Sequence, residues 1–323
     1  MTAATSVADG ETRQVKGGGL ISALFRLVKN LVVGTLLCLT PVTAVIVLGW
    51  MMRHMRAVSL RRLGLHQASA GLDGRHGWVL GPRGSGFLTR LFGGLWSNVT
   101  TGIGGFVSLA LATLPFTGLW LVSWWAGWEN SFNKGYEQSW VGPAVGLTGV
   151  AIGLWVMAYL PMALAHQAAE GRWLALFEIR RVRSLVAYSG WRYLFLAVAT
   201  TVLALPLFAA RGLPAFIEGI VPGFAELPAD EVQNIIGMIA LAKAGYVFAT
   251  LVFLRGWAAR IYARAAIADK VAKRPWLVFR LLRLVLLLAI WFGLVAQIYV
   301  GQFLNHNWWY WMNHPYLVLP WTV

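Results

Sequence analysis

The stretch WVGPAVGLTGVAIGLWVMAYLPMAL, residues 140–164, contains no charged side chain. At about 1.5 Å per residue, a helix of this length crosses the roughly 30 Å hydrocarbon core of a bilayer. Four more apolar runs of comparable length lie at residues 103–125, 193–210, 235–254 and 284–300. The sequence therefore predicts an all-α, polytopic membrane helix bundle with five clear transmembrane helices.

Composition supports the same class of protein. The mean hydropathy is +0.64, and 58% of residues are hydrophobic whereas only 12% are charged, which leaves too little polar surface for a soluble chain of 323 residues. The one cysteine, Cys38, lies in an apolar run and excludes a disulfide framework.

The connections between the apolar runs differ in charge. Residues 53–98, 165–192 and 255–283 together hold 20 Lys or Arg and four acidic residues, whereas residues 126–140 and 211–234 hold two basic and six acidic residues. By the positive-inside rule, the first three connections are cytoplasmic and the C-terminus is external, as in a bacterial inner-membrane protein. The net charge of +15 then reflects orientation and anionic lipid headgroups, and no nucleic-acid partner is predicted.

The first hydrophobic segment, residues 31–52, has basic residues on both sides and a break at Thr40-Pro41. A single crossing would export either the polar N-terminal tail, residues 1–19, or the basic connection after it. A re-entrant hairpin bent at Pro41 keeps both ends on one side, provided that its broken backbone is buried in protein. We favour the hairpin. Residues 20–302 form the membrane domain.

Four glycines share one face of the helix predicted over residues 140–164. Gly142, Gly146, Gly149 and Gly153 are spaced at i, i+4, i+7 and i+11, as two successive GxxxG units. Such a face lets a second helix approach closely. The partner is another helix of this chain or a separate subunit.

Lys243 is the ionisable residue that lies well inside an apolar run. Charges at that depth are functional candidates, and Lys243 could bind an anion or carry protons. The alternative is a lysine that extends toward the outer headgroups or contacts a backbone carbonyl. The runs contain no Asp or Glu to pair with it, which weakens a proton relay.

The last segment, residues 303–323, carries no charge and is rich in aromatic residues. It is too short and too interrupted by polar residues to return across the bilayer. We expect it to lie along the outer interface or against a partner protein, since Trp and Tyr often dominate contact energy. The predicted partner-docking residues are Trp308, Trp309, Trp311, Tyr316 and Trp321.

Histidines give only weak signals for metals or cofactors. His166 and Glu170 share a helical face and are close in sequence to Glu178, but two ligands do not make a metal site. His306 and His314 could ligate a haem or chlorophyll metal, although ordinary interfacial histidines explain them better. No cofactor is predicted.

Three stretches resemble a family of prokaryotic polytopic membrane proteins that is known only as a domain of unknown function. They are VLGWMMRHMRAV (47–58), LPMALAHQAAEGRWLALFEIRRVRSLV (160–186) and RIYARA (260–265), and the resemblance extends over roughly residues 20–265. The family has no established activity, so the resemblance implies the architecture and assigns no catalytic residue.

The sequence contains no nucleophile–base pair, paired carboxylates or cofactor-binding loop. GPRGSG, residues 81–86, lacks the Gly-Lys-Ser/Thr ending of a phosphate-binding loop. We therefore predict a non-enzymatic accessory or scaffolding subunit of a larger membrane complex, with respiratory and photosynthetic assemblies as candidates. The alternative is a transporter or channel for a small solute or ion, with Lys243 and the broken first segment as its working parts.

Overall fold

The computed structural model describes residues 20–65, 77–81, 86–128, 140–220, 226–271, 276–305, 314 and 316–321. Within these residues the chain forms eight α-helices and one short 3₁₀ turn, Trp173–Phe177, and no strand. The helices are α1 (Leu20–Leu37), α2 (Pro41–Arg62), α3 (Phe87–Trp128), α4 (Val141–Glu170), α5 (Ile179–Ser189), α6 (Trp191–Ile220), α7 (Ala229–Val271) and α8 (Leu277–Asn305).

Five of these helices, α3, α4, α6, α7 and α8, are long and apolar enough to cross a membrane. The predicted all-α membrane bundle is therefore confirmed. The connections that are rich in Lys and Arg follow α2, α4 and α7 at one end of the bundle, which we call the basic end. Parts of these connections are helical, because α3 and α7 run for 42 and 43 residues and extend well beyond their apolar runs.

Helices α1 and α2 form a helical hairpin with the predicted bend at Thr40-Pro41, and re-entry on one side of a membrane stays a prediction. Pro41 begins α2 at a position where its missing N–H is not needed, and Thr40 caps the helix by accepting from the Thr43 N–H at 3.3 Å. Farther along α2, the Ser59 hydroxyl donates to the Ala259 carbonyl of α7 at 3.4 Å.

Leu27 and Asn30 of α1 line the same cavity as Arg61 near the end of α2, so the outer ends of both arms lie toward the basic end. Residues 39–42, which form the break, are exposed, and the burial by protein that a re-entrant break requires is therefore not seen in the described chain.

Two glycines set the contact between α2 and α3. A Cβ at Gly49 would clash with the Asn98 carbonyl of α3, and a Cβ at Gly102 would clash with the Val45 carbonyl of α2. At Gly49 and Gly102 the backbones of α2 and α3 therefore lie too close together for any residue with a Cβ. The indole of Trp78 covers this crossing from the loop, with its ring centroid 4.6 Å from that of Trp50.

The glycine face of α4 lies against α3 and α8 of the same chain. The Gly142 carbonyl accepts from the Ser123 hydroxyl at 2.5 Å, and a Cβ at Gly146 would clash with the Tyr299 hydroxyl. A Cβ at Gly149 would lie 2.8 Å from the Trp120 ring. Gly153 is less crowded, since its Cβ would lie 3.4 Å from Phe116. Helices of this chain therefore occupy the close-packing face.

Candidate functional site

A small cavity of about 60 Å³ lies near the centre of the bundle, displaced toward the basic end. Side chains from α2, α3, α4, α6, α7 and α8 line it, and residues Tyr316 and Leu317 close it. We call it the central cavity. Its walls are mostly apolar, and Arg255 supplies the charge.

Arg255 comes from the inward face of α7 and is only 8% exposed. Its Nη1 donates to the sulfur of Met51 at 3.3 Å, and a thioether is a weak acceptor. Among the described residues no carboxylate forms an ion pair with it. Burying a cation is costly unless an anion or several good acceptors compensate for the lost water. The central cavity is therefore strongly suited to a negative charge.

The C-terminal segment, residues 316–321, enters the bundle beside this arginine. Leu317 and Val318 are at most 1% exposed, and the Tyr316 hydroxyl donates to the Leu203 carbonyl at 3.1 Å and lies 3.4 Å from the Thr250 hydroxyl. We expected this segment on an outer surface. The structure instead buries it in the chain's own helices, because a non-helical backbone at this depth must be covered by protein.

The predicted docking residues are accordingly distributed differently from expectation. Tyr316 contacts its own chain and offers no surface to a partner in this conformation. Trp321 is half-buried against the core. Trp308, Trp309 and Trp311 lie outside the described residues.

A polar network joins α4 to α7 at the basic end. His166, 2% exposed, has Nε2 at 2.8 Å from Glu178 and Nδ1 at 3.2 Å from the Tyr262 hydroxyl. Arg172 donates to the other oxygen of Glu178 at 2.7 Å. Hydrogen bonds from His166 and Arg172 lower the pKa of the Glu178 carboxyl, so it stays ionised under acidic conditions.

Arg181 of α5 does not belong to this network. Glu178 contacts His166 and Arg172, whereas Arg181 pairs with Asp269 of α7. Both ring nitrogens of His166 have protein partners, which leaves it little capacity as a metal ligand. No group of three or more His, Cys, Asp or Glu able to hold a metal occurs in the part of the chain that the structure describes.

Neither Lys243 nor His314 lines the central cavity. Lys243 is half-buried on α7 and is not without a partner. His314 is buried with its ring centroid 5.8 Å from that of Tyr316. His306 lies outside the described residues.

Arg255 is the residue that sequence reasoning missed, because it was counted with the loop at 255–283. A signal was present in the pattern. Leu251, Arg255, Ala258 and Tyr262 recur at i, i+4, i+7 and i+11, and all four are buried. A charge inside an otherwise apolar helical face indicates an internal cation rather than a loop residue.

Comparison with family models, curated proteins and solved structures gave no match for this chain. The resemblance seen in the sequence therefore stays a prediction.

Proposed function

We propose that this protein is a transporter or channel for a small anion, held closed by its C-terminal segment. The observation that carries the proposal is Arg255, a buried cation beside a cavity with no carboxylate in contact among the described residues. Ionisable side chains inside a membrane domain commonly mark solute or ion pathways. A permeating anion would provide the charge that Arg255 lacks.

The broken first segment supports the same function. Transport proteins often place interrupted helices at the substrate site, where non-helical backbone borders a cavity. Here α2, which begins at the break, contributes Met51 and Met55 to the surroundings of Arg255, 10 and 14 residues after Pro41.

The hairpin also packs on α7 at both ends, through Ser59 near the end of α2 and through Gly34 of α1, where a Cβ would clash with the Phe248 ring. A movement of α7 would therefore shift α1 close to the break.

The hypothesis of a scaffolding subunit has less support than anion transport. Its two arguments were the glycine face and the aromatic tail, and packing within the chain accounts for the glycines and for Tyr316. It now depends on Trp308, Trp309 and Trp311. We propose a bacterial inner-membrane location with the basic end cytoplasmic, on the charge distribution alone.

The test is anion flux in liposomes that contain the purified protein. Chloride and nitrate efflux would be measured for the full chain, for a form lacking residues 314–323, and for the truncated form carrying Arg255→Gln. Arg260→Gln is the matched control, because Arg260 lies on the same helix but is exposed.

Truncation should raise anion efflux above that of the full chain, and Arg255→Gln should reduce it about tenfold or more, as expected when a charged hydrogen-bond donor is lost. Arg260→Gln should have little effect. Efflux no faster than from empty liposomes in every form, with monodisperse protein, would contradict the proposal and favour a search for stoichiometric partners by co-purification.

A further inference from the structure

A second, larger cavity of about 300 Å³ opens on the side of the basic end, between α2, α3 and the turn after α4. We call it the lateral cavity. Its volume is at the lower end of the range for ligand pockets. Its polar lining includes Arg53, Arg56, Thr101, Gln167 and Arg172.

The Arg53 guanidinium forms hydrogen bonds through Nη1, whereas its Nε has none in the described chain. Its Nη1 donates to the Asn98 amide oxygen at 2.8 Å and approaches the Gly94 carbonyl at 3.4 Å. Asn98 is fully buried and is itself fixed by donating to the Trp78 carbonyl at 3.1 Å. The Nε of Arg53 is buried and has no acceptor among the described residues. The side chain is thus positioned, but part of its donor capacity is unused.

Arg56 lies one turn farther along α2 and also has a buried Nε without an acceptor in the described chain. Its guanidinium passes over Gly171, where a Cβ would come within 2.7 Å of Nη1. Gly171 ends α4 with φ of +71°, a conformation that favours glycine. Glycine at this position therefore serves both the helix end and the approach of Arg56.

The lateral cavity carries more positive charge than its surroundings neutralise. Arg172 is paired with Glu178 at 2.7 Å and Glu170 at 3.8 Å. Neither glutamate lines the cavity, and no ion pair to Arg53 or Arg56 occurs among the described residues. Both arginines line the cavity, and an oxyanion bound there would offset the charge that no described carboxylate neutralises.

We propose that the lateral cavity binds a phosphate group, with Arg53 and Arg56 as its principal ligands. The planar guanidinium presents its donors in a fork that matches phosphate oxygens. The Thr101 hydroxyl from α3 adds a neutral donor at the same wall. The proposal is independent of anion transport through the central cavity.

The surroundings of the cavity fit a phosphate carried by an anionic lipid. Trp173 lines the cavity and is 46% exposed. Trp96, Ile103 and Leu174 are at least half exposed and adjoin the lining residues Ser97, Gly104 and Trp173 in sequence. Acyl chains could lie against this surface while the headgroup enters the cavity. A free phosphate ion shares the headgroup's chemistry but would not need the apolar rim.

Two binding assays on the purified full chain distinguish these sources. Native mass spectrometry from mixed micelles measures retention of phosphatidic acid relative to phosphatidylcholine, and calorimetry measures inorganic phosphate binding. Arg56→Gln removes one ligand, and Arg62→Gln is the control from the exposed end of the same helix. Gly104→Leu leaves both arginines but narrows the mouth beside Trp173, whose Cβ would be 3.7 Å from a Cβ at Gly104.

Preferential retention of phosphatidic acid, weakened about tenfold by Arg56→Gln and by Gly104→Leu but not by Arg62→Gln, supports a lipid headgroup site. The same pattern for inorganic phosphate, without a lipid preference, supports a soluble phosphate ligand. Identical binding by the wild type, Arg56→Gln and Gly104→Leu in both assays overturns the proposal. Gly104→Leu keeps the test valid if Arg56→Gln fails to fold.

Discussion

The two arginine sites of the basic end differ in how a ligand reaches them. Arg255 faces the central cavity, which the C-terminal segment closes through Tyr316 and Leu317. Arg53 and Arg56 line the lateral cavity, which lies between α2, α3 and the turn after α4, beside the partly exposed Trp173. Burial of a cation alone therefore does not define its role, because the access route decides which anion can compensate for it.

Helix α2 connects the two sites, since Met51 and Met55 face the centre whereas Arg53 and Arg56 face the side. Changes to the backbone contact of α2 should affect both sites together. Changes to the C-terminal segment should affect the central cavity alone. Changes to the Glu178 network should affect the lateral cavity alone.

The largest effect is expected for Gly49→Leu. A Cβ at this position would clash with the Asn98 carbonyl, and backbone atoms cannot move aside cheaply. The substitution should cost about 3 kcal/mol, the upper end for overpacking, and should abolish both anion efflux and phosphate binding. Thermal unfolding in detergent measures the loss of stability.

Gly118→Leu on α3 is the control for this prediction, because a Cβ there would meet nothing within 4 Å. It should change stability by less than about 0.5 kcal/mol. Equal losses for the two leucine variants would show that the α2–α3 crossing does not support the sites.

A smaller effect, confined to the central site, is expected for Tyr316→Phe. The loss of hydrogen bonds to Leu203 and Thr250 should weaken docking of the C-terminal segment by about 1 kcal/mol, or about fivefold in its open population. The rate of maleimide labelling of a thiol introduced by Val318→Cys, in a Cys38→Ala background, should rise by that factor.

Phosphate binding at the lateral cavity should stay unchanged in Tyr316→Phe. Tyr188→Phe, on α5 and away from the central cavity, should leave the labelling rate unchanged. If Tyr188→Phe accelerates labelling as much as Tyr316→Phe does, the hydroxyl of Tyr316 has no specific part in closing the centre.

The smallest effect is expected for Glu178→Gln. Arg172 would lose its strongest ion-pair partner and add positive charge near the lateral cavity, so phosphate affinity should rise by up to about fivefold, as for other exposed pairs. Calorimetric titration at pH 7 measures the change. An unchanged affinity would place Arg172 outside the electrostatic reach of the site.

The pH dependence follows from the lowered pKa of Glu178. A carboxyl whose pKa is lowered by folding adds stability above its unfolded pKa, about 4.3, and loses that contribution as the pH falls through the lower folded value. Glu178 should therefore stay ionised between pH 5 and 8, and its effect on wild-type phosphate affinity should not change with pH in that range. The effect should be lost only below the ordinary Glu pKa of about 4.3, where Glu178→Gln and the wild type should converge.

The sequence allowed the membrane bundle and the hairpin to be predicted because both depend on local features. Apolar length predicts a crossing, and Thr40-Pro41 between two basic flanks predicts a break. The helix ends were harder to predict, since charged residues such as Arg260 continue α7 at the basic end.

The sites could be predicted only in part. Arg255 lies at the edge of an apolar run, so its burial depends on α2, α4 and α6 packing around it. The position of Tyr316 depends on Leu203 and Thr250, which are 113 and 66 residues away in sequence. Arg53 and Arg56 contribute to the charge count, but that count does not indicate which arginines lack a carboxylate partner.

The α1–α2 hairpin has a consequence for synthesis. Ser59 of α2 bonds to Ala259, which lies 200 residues later in the chain. At about 5–20 residues per second, translation would need roughly 10–40 s to deliver that partner. During this interval Gly34 and Ser59 have neither Phe248 nor Ala259 of α7 to pack on. The hairpin must therefore complete its packing late, after α7 has been made.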